Sequence, residues 1–235
     1  MARLILLHSP FVGPASWGGV AAELEARGHA VTAPAWLKLE PIREAFYRTL
    51  AQDMAARIEA EEGGPPILVT HSAGGALIPA LEAALASPPA GVVLVDAILP
   101  HPGKSWMDNA PPPLALQLRN GVDMGLLPPW DQWWPPGALE RLVPEEAARA
   151  ALTAEAEGLP LDFLEEPAPP MALQSPAAYL QLSGAYDDEG QYAVRQGWPV
   201  VRLPLHHLAM LTHAEAVAGA IHGLAERLPP RASDA

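Results

Sequence analysis

The sequence predicts an α/β fold with a doubly wound, mostly parallel sheet of about six strands. Short apolar runs alternate with helical segments along most of the 235 residues, and this alternation is typical of parallel sheets covered on both faces. Half of the residues are hydrophobic, which is enough for a sizeable core. A long segment rich in proline and tryptophan interrupts the alternation, and we expect it to form a helical cap over the sheet.

The N-terminal elements follow from apolar runs and their end signals. Strands are expected at residues 3–7, 29–33, 67–69 and 91–95, and helices at 17–27, 41–62 and 73–86. The helix at 41–62 has the clearest amphipathic pattern because its apolar residues recur in steps of four: Ile42, Phe46, Leu50, Met54 and Ile58. Pro41 suits its first turn.

The amino-acid composition changes between residues 99 and 176. This segment contains proline clusters and four tryptophans, together with helical patterns near 114–120 and 144–156. Strands at 177–182 and 198–203 and helices at 189–196 and 214–227 follow. We therefore divide the chain into an α/β core, residues 1–98 and 177–235, and a cap insertion, residues 99–176.

Composition excludes several classes of function. The net charge of −13 disfavours nucleic acid and anionic membranes as partners, and the lack of cysteine excludes thiol catalysis. No histidine pair has zinc-ligand spacing, so neither a metal nor another cofactor is expected. The first apolar run is too short for a signal peptide or a membrane span. These features predict a cytoplasmic monomer or homodimer.

One stretch combines the features of a nucleophile elbow. The apolar strand at 67–69 leads into Thr70-His71-Ser72-Ala73-Gly74, and a helical run follows. A serine on such a sharp turn needs small neighbours and presents its hydroxyl above the sheet. The usual pattern is G-x-S-x-G, and here Thr70 stands in its first position. The alternative interpretation of Ser72 is an ordinary helix N-cap.

Other segments extend the pattern over nearly the whole chain. They are His8-Ser9 after the first strand, Trp17, Val95-Asp96-Ala97, and the late stretch from Leu205 through His206-His207 to Leu211. With the elbow, they resemble the α/β-hydrolases, in particular the compact cofactor-free group of methyl-ester esterases, hydroxynitrile lyases and their bacterial relatives. The resemblance implies a Ser-acid-His triad with Ser72 as nucleophile. The catalytic histidine precedes an apolar patch in that family, which favours His207 over His206.

The acid of the triad is less determined by the sequence. Gly184-Ala185-Tyr186-Asp187 resembles the family's G-x-x-D, so Asp187 leads, with Asp188 and Asp96 as alternatives. Asp96 ends the preceding strand, where some members of the fold carry the acid. Each of these aspartates also has a possible structural role. Asp187 and Asp188 suit the N-terminus of a helix, and Asp96 could accept hydrogen bonds from loop amides.

The oxyanion hole should combine the amide of Ala73 with one from the loop after the first strand. Pro10 occupies the family's usual donor position but has no N–H, so Phe11 is the expected donor, with Val12 as the alternative. Losing one donor typically costs about a hundred- to a thousandfold in rate. This departure is the strongest argument in the sequence against an efficient hydrolase.

An apolar, aromatic pocket is expected beneath the cap. The residues proposed to bind substrate are Phe11, His71, Trp106, Trp130, Trp133 and Trp134, although packing against the sheet can account for many tryptophans. The sequence thus predicts a serine hydrolase for small apolar carboxylic esters. The alternative is a non-catalytic or weakly active small-molecule-binding member of the fold. A hydroxynitrile lyase ranks lower. Enzymes of that type typically carry a lysine in the pocket, and this chain has only Lys38 and Lys104.

Overall fold

The main sheet has six strands, all parallel. The computed structural model describes residues 1–229, so the predicted core residues 230–235 lie outside the described part. In chain order the strands are β1 (Arg3–Leu7), β2 (Ala30–Thr32), β3 (Ile67–His71), β4 (Gly91–Val95), β5 (Leu126–Leu127), β6 (Leu159–Pro160), β7 (Ala177–Gln181) and β8 (Val200–Arg202). The order across the main sheet is β2-β1-β3-β4-β7-β8. The predicted doubly wound parallel sheet is confirmed.

The helices alternate with these strands. They are α1 (Gly18–Ala26), α2 (Phe46–Ala60), α3 (Ile78–Ala84), α4 (Trp106–Asn109), α5 (Pro112–Asn120), α6 (Ala138–Leu142), α7 (Glu146–Ala154), α8 (Leu161–Glu165), α9 (Asp187–Arg195), α10 (Ala209–Thr212) and α11 (Ala214–Ala225). The prediction of a helix starting at residue 41 was wrong. Ala45 has a φ of +54°, and this left-handed residue turns the chain just before Phe46, so Pro41 stays outside the helix.

Alternate residues of each strand point to opposite faces of the sheet, and each face carries its own core. In β1, Leu4 and Leu6 pack on the side that also holds Trp17 and the apolar face of α11. Ile5 and Leu7 pack on the side of α2 and α3. Because both faces are buried, the central strands read as continuous apolar runs in the sequence.

Residues 99–176, called the insertion below, contribute none of the six strands of the main sheet. The insertion holds α4 to α8 and the antiparallel pair β5–β6. Two of its glutamates accept hydrogen bonds from free backbone amides of the core: Glu155 from Ala15 at 2.8 Å, and Glu166 from Phe46 at 2.9 Å and Tyr47 at 3.1 Å. These bonds satisfy helix N-termini that lack caps of their own. Within residues 1–229, no helix has the length and apolarity needed to cross a bilayer.

Candidate active site

Ser72 lies directly after β3 with a φ of +55°. This left-handed conformation costs about 1–3 kcal/mol for a residue with a side chain, so the surroundings must hold it. A Cβ added to Gly75 would lie 2.1 Å from the carbonyl oxygen of Ile98, and one on Gly74 would lie 2.6 Å from Thr70 Oγ1. The elbow therefore tolerates Thr70 because Gly74 has no side chain.

Asp96 leaves the neighbouring strand at the same level as Ser72. His71 and Val95 are paired across β3 and β4, so the next residue of each strand stands at the same carboxyl edge. Asp96 also has a left-handed backbone, with a φ of +42°, and its side chain is fully buried. Active sites of open parallel sheets form at this edge.

His207 lies between these two side chains. Its Nε2 is 3.0 Å from Ser72 Oγ, and its Nδ1 is 2.9 Å from Asp96 Oδ2. A carboxylate can only accept, so Nδ1 carries the imidazole proton and Nε2 is left as the acceptor for the Ser72 hydroxyl. The arrangement is that of a nucleophile, a base and the group that orients the base.

The Asp96 carboxylate is fixed by further donors. Oδ1 accepts from the backbone amides of Leu182 at 2.7 Å and Ser183 at 3.0 Å, and Oδ2 accepts from the Ser183 hydroxyl at 2.6 Å. Hydrogen bonds of this kind are needed to keep a buried carboxylate charged. They also set the direction in which Oδ2 faces His207.

Asp187, the leading sequence candidate for the acid, does not contact His207. It is the first residue of α9, and its Oδ1 accepts from the side-chain amide of Gln181. Asp188 is also exposed in that first turn, where both carboxylates complement the helix dipole. The expected contact with the imidazole is therefore corrected to Asp96, because a 3-10 turn after β7 carries Asp187 beyond reach.

The other candidate histidines have different partners. His206 Nε2 lies 2.9 Å from Thr212 Oγ1. His71 is buried and donates from Nε2 to the carbonyl oxygen of His207 at 3.0 Å. Burial lowers the pKa of His71 well below its usual value, so its ring is neutral. The His71 ring thus links the elbow to the histidine loop, and its expected contact with substrate stays a prediction.

The sequence analysis missed Tyr186. Its ring stacks on the His207 imidazole with centroids 5.0 Å apart and planes inclined by 9°. Burial raises the pKa of the Tyr186 phenol, and a side-chain hydrogen bond with Ser72 opposes this effect only in part. The sequence signal for this residue is weak, because Tyr186 is the variable position directly before the aspartate of the G-x-x-D pattern.

The loop after β1 uses its amides internally. Pro10 has no N–H, Phe11 donates to Ser9 Oγ at 3.3 Å, and Val12 donates to the Ser9 carbonyl oxygen at 3.1 Å. The Phe11 bond is the longer and ends on a side chain that can rotate. Ala73, the other expected oxyanion donor, directly follows Ser72 in a 3-10 turn.

The aromatic residues proposed to bind substrate form two groups. Phe11, Trp106 and Trp133 pack together with ring centroids 5.3–6.1 Å apart. Trp130 pairs instead with Trp134, which is 42% exposed and lines an open groove of about 330 Å³ on the insertion. The first group adjoins the Phe11 amide, so it is the better candidate for a substrate pocket. Among residues 1–229, no cluster of three or more carboxylate or histidine side chains is arranged to bind a metal.

Comparison with known proteins gives one curated relative of similar sequence. The carbendazim-hydrolysing esterase of a Nocardioides species is 31% identical over 139 residues, which are 54% of this chain and 56% of that protein. The chain thus matches about half the length of that relative.

Solved structures share the fold over almost the full length. An extracellular alpha/beta-hydrolase from a Paenibacillus species has a TM-score of 0.76 at 21% identity, covering 95% of this chain and 99% of its own. A pyrethroid hydrolase from Sphingobium faniae has a TM-score of 0.74 at 24% identity, with 96% and 98% covered. The model of the "Alpha/beta hydrolase family" matches residues 4–220. The chain therefore belongs to the alpha/beta hydrolase family.

Proposed function

We propose that this protein is a serine hydrolase that cleaves small apolar carboxylic esters through an acyl-enzyme. The observation that carries the proposal is the unbroken contact from Ser72 through His207 to Asp96, with bonds of 3.0 and 2.9 Å. Ser72 is the nucleophile, His207 the general base and Asp96 the acid. This assignment replaces Asp187 as acid and keeps the other two candidates.

The mechanism follows from the tautomer of His207. Nε2 takes the Ser72 proton as Oγ attacks the ester carbonyl carbon, and the Asp96 carboxylate stabilises the imidazolium that forms. The imidazolium then gives its proton to the leaving alcohol as the carbon–oxygen bond breaks. Water repeats the same steps on the acyl-enzyme, which releases the acid and restores Ser72.

The oxyanion is assigned to the amides of Ala73 and Phe11. Ala73 directly follows the nucleophile in the 3-10 turn that begins at Ser72, as the elbow requires. The Phe11 amide becomes available when the Ser9 hydroxyl rotates away from it and breaks their 3.3 Å bond. Two donors at this position provide the main electrostatic stabilisation of the tetrahedral intermediate.

The substrate class follows from the aromatic group beside Phe11. Three large rings and no charged side chain in that group favour an apolar acyl or alkyl moiety. One relative is a carbendazim-hydrolysing esterase and one structural neighbour is a pyrethroid hydrolase, and both support an ester-type substrate. We include in the proposal a cytoplasmic monomer or homodimer, in line with the net charge of −13.

Two measurements test the proposal. A fluorophosphonate probe should label the protein, and Ser72→Ala should abolish labelling while leaving the Tm unchanged. A series of p-nitrophenyl esters with acyl chains of increasing length should then show turnover that is lost in Ser72→Ala and in His207→Ala. A correctly folded protein that neither reacts with the probe nor turns over any ester of the series would refute the proposal.

A second candidate function is a non-catalytic small-molecule-binding protein that uses the same pocket. The observation that favours it is the loop after β1, where Pro10 has no amide proton and the Phe11 amide is bonded to Ser9 Oγ. This candidate predicts a ligand-induced rise in Tm without any turnover. Hydrolysis that disappears in His207→Ala would exclude it. The lyase alternative has no support, since Lys38 is exposed and pairs with Glu157.

A further inference from the structure

The histidine loop, residues 203–208, must extend past two strands to reach the nucleophile. It follows β8 at the edge of the sheet, and β7 and β4 lie between β8 and β3 in the strand order. The loop backbone is bonded to the core at Leu205, whose amide donates to the carbonyl oxygen of Leu182 at 3.0 Å. Further along, the carbonyl oxygen of His207 accepts from His71 Nε2 at 3.0 Å. His71 thus anchors the backbone of the proposed base directly to β3.

The His71 ring has only one arrangement of protons that fits these contacts. A carbonyl oxygen can only accept, so Nε2 carries the proton and Nδ1 of the neutral ring is bare. The ring is buried, and nothing among residues 1–229 forms a hydrogen bond with its Nδ1. A second proton on the ring would therefore be buried without an acceptor. The imidazole of His71 is a neutral donor that points at His207.

The same ring also contacts the His207 imidazole. The two ring centroids are 4.4 Å apart and the planes are inclined by 34°. Trp17, which is fully buried, packs against the His71 ring with its own plane nearly perpendicular and its centroid 6.1 Å away. This packing limits the rotation of the His71 ring. His71 therefore contacts both the backbone and the side chain of His207 from a fixed position.

The reaction proposed above needs such an anchor because one contact of His207 is temporary. Before the reaction, Nε2 is held by Ser72 Oγ at 3.0 Å and Nδ1 by Asp96 Oδ2 at 2.9 Å. Once Ser72 carries the acyl group, Oγ has no proton to donate, so its bond to Nε2 is lost. The bonds from His207 to Asp96 and to His71 do not involve Oγ and remain while water attacks the acyl-enzyme.

We propose that His71 is a positioning residue of this site, whose Nε2–H donates to the His207 carbonyl oxygen and keeps the imidazole at Ser72 through both halves of the reaction. The inference rests on the ester hydrolysis proposed above. The role needs a donor at the place of Nε2, and it needs no contact between His71 and the substrate. Loss of the donor leaves the carbonyl oxygen unpaired and frees the loop. The effect should therefore appear in kcat rather than in KM.

Two substitutions of equal length test this role. His71→Gln keeps a donor at the place of Nε2, since both nitrogens are separated from Cα by the same number of bonds, whereas His71→Met has no donor. Active sites are counted by complete labelling with the fluorophosphonate probe. Per labelled site, His71→Met should lose about 10- to 100-fold in kcat for p-nitrophenyl butyrate and in the rate constant of labelling. His71→Gln should stay within about 3-fold in kcat, and KM should change by less than about 3-fold in both variants.

His222→Met is the matched control, because it removes an imidazole at the other edge of the sheet. His222 lies on α11, and its Nδ1 is 2.9 Å from Nε2 of His29, which directly precedes β2. Both kcat and KM of this variant should equal those of the wild type. Equal losses of kcat in His71→Gln and His71→Met, or no loss in either, overturn the role of His71. A rise in KM of His71→Met at unchanged kcat also overturns it and favours the substrate contact expected from the sequence.

A measurement on the wild type decides the question if neither His71 variant folds. ¹⁵N NMR of the histidine side chains should show His71 as the neutral tautomer with its proton on Nε2. A proton on Nδ1 at neutral pH, in a neutral or a charged ring, overturns the inference. If the wild type hydrolyses no ester and no probe labels Ser72, the proposed function fails and this inference fails with it. If the wild type is active, only the results at His71 bear on this inference.

Discussion

Ser72 and Asp96 leave two adjacent parallel strands at the same level, and both have left-handed backbone angles, +55° and +42°. Each strained residue turns its side chain to the carboxyl edge of the sheet, where His207 joins them. Two conformations that each cost about 1–3 kcal/mol are thus held by the pairing of β3 with β4.

This relationship makes Asp96, rather than Asp187, the residue that we propose to orient His207. Asp96→Asn should lower kcat for p-nitrophenyl butyrate by about 10⁴-fold, because an amide in that place no longer selects the correct tautomer of His207. Asp187→Asn is the matched control and should stay within about 3-fold, since Asp187 contacts Gln181. The reverse ranking of the two variants would show that the acid is assigned incorrectly.

The close approach at Gly75 predicts a stability cost at the elbow. Gly75→Ala places a methyl group 2.1 Å from the carbonyl oxygen of Ile98, so the backbone must shift, and the free energy of unfolding should fall by about 1–3 kcal/mol. Gly219→Ala in α11 meets nothing within 4 Å and should raise it by up to about 1 kcal/mol. Urea unfolding measures both, and equal effects would contradict the packing argument.

The insertion should stabilise α2 through Glu166. Its carboxylate accepts from the amides of Phe46 and Tyr47, and α2 has no side-chain cap of its own. Glu166→Ala should therefore lower the free energy of unfolding by about 1–2 kcal/mol. The neighbouring Glu165→Ala, which removes only a surface ion pair with Arg119, should cost less than about 0.5 kcal/mol. If urea unfolding gives the two variants the same stability, the capping role is wrong.

Buried histidines predict that acid destabilises the fold. Burial lowers the pKa of His8 from 6.5 to about 4, so between these pH values the unfolded chain binds a proton that the folded chain does not. The contribution of His8 to the free energy of unfolding should fall by about 3 kcal/mol as the pH drops through this range, and it is fully present above pH 6.5. The lowered pKa of His71 acts with the same sign.

Urea unfolding of the wild type and of His8→Gln at a series of pH values checks this prediction. The variant should lose stability less steeply on acidification, because one of the groups that exclude a proton is gone. Parallel curves for the two proteins would rule out His8 as a source of the acid sensitivity.

The two aromatic groups predict different kinetics. Trp106 packs against Phe11 and Trp133, so Trp106→Leu should raise KM for long-chain p-nitrophenyl esters by about 10-fold, with a smaller change for the acetate. Trp134 is exposed and pairs with Trp130, so Trp134→Leu should leave KM unchanged. A larger effect of Trp134→Leu would move the substrate pocket to the outer groove.

Most of the fold could be predicted from local sequence signals. Continuous apolar runs marked the central strands because both faces of those strands are buried. The six-stranded count and the serine after the third strand agree with the structure. The start of α2 could not be predicted. It depends on the left-handed backbone of Ala45 and on Glu166, which is 120 residues away from Phe46.

The sequence by itself determined which side chains could take part: a serine on a sharp turn, a late histidine, and several aspartates that follow strands. Only the tertiary structure showed that Asp96 is the aspartate in contact with His207 and that the Tyr186 ring stacks on the imidazole. All parallel strands end at the same edge of the sheet. From the sequence alone, a carboxylate after β4 and one after β7 are therefore equally suited to lie beside the late histidine. The choice depends on strand register and loop path, and these bring Asp96 and Tyr186 to His207.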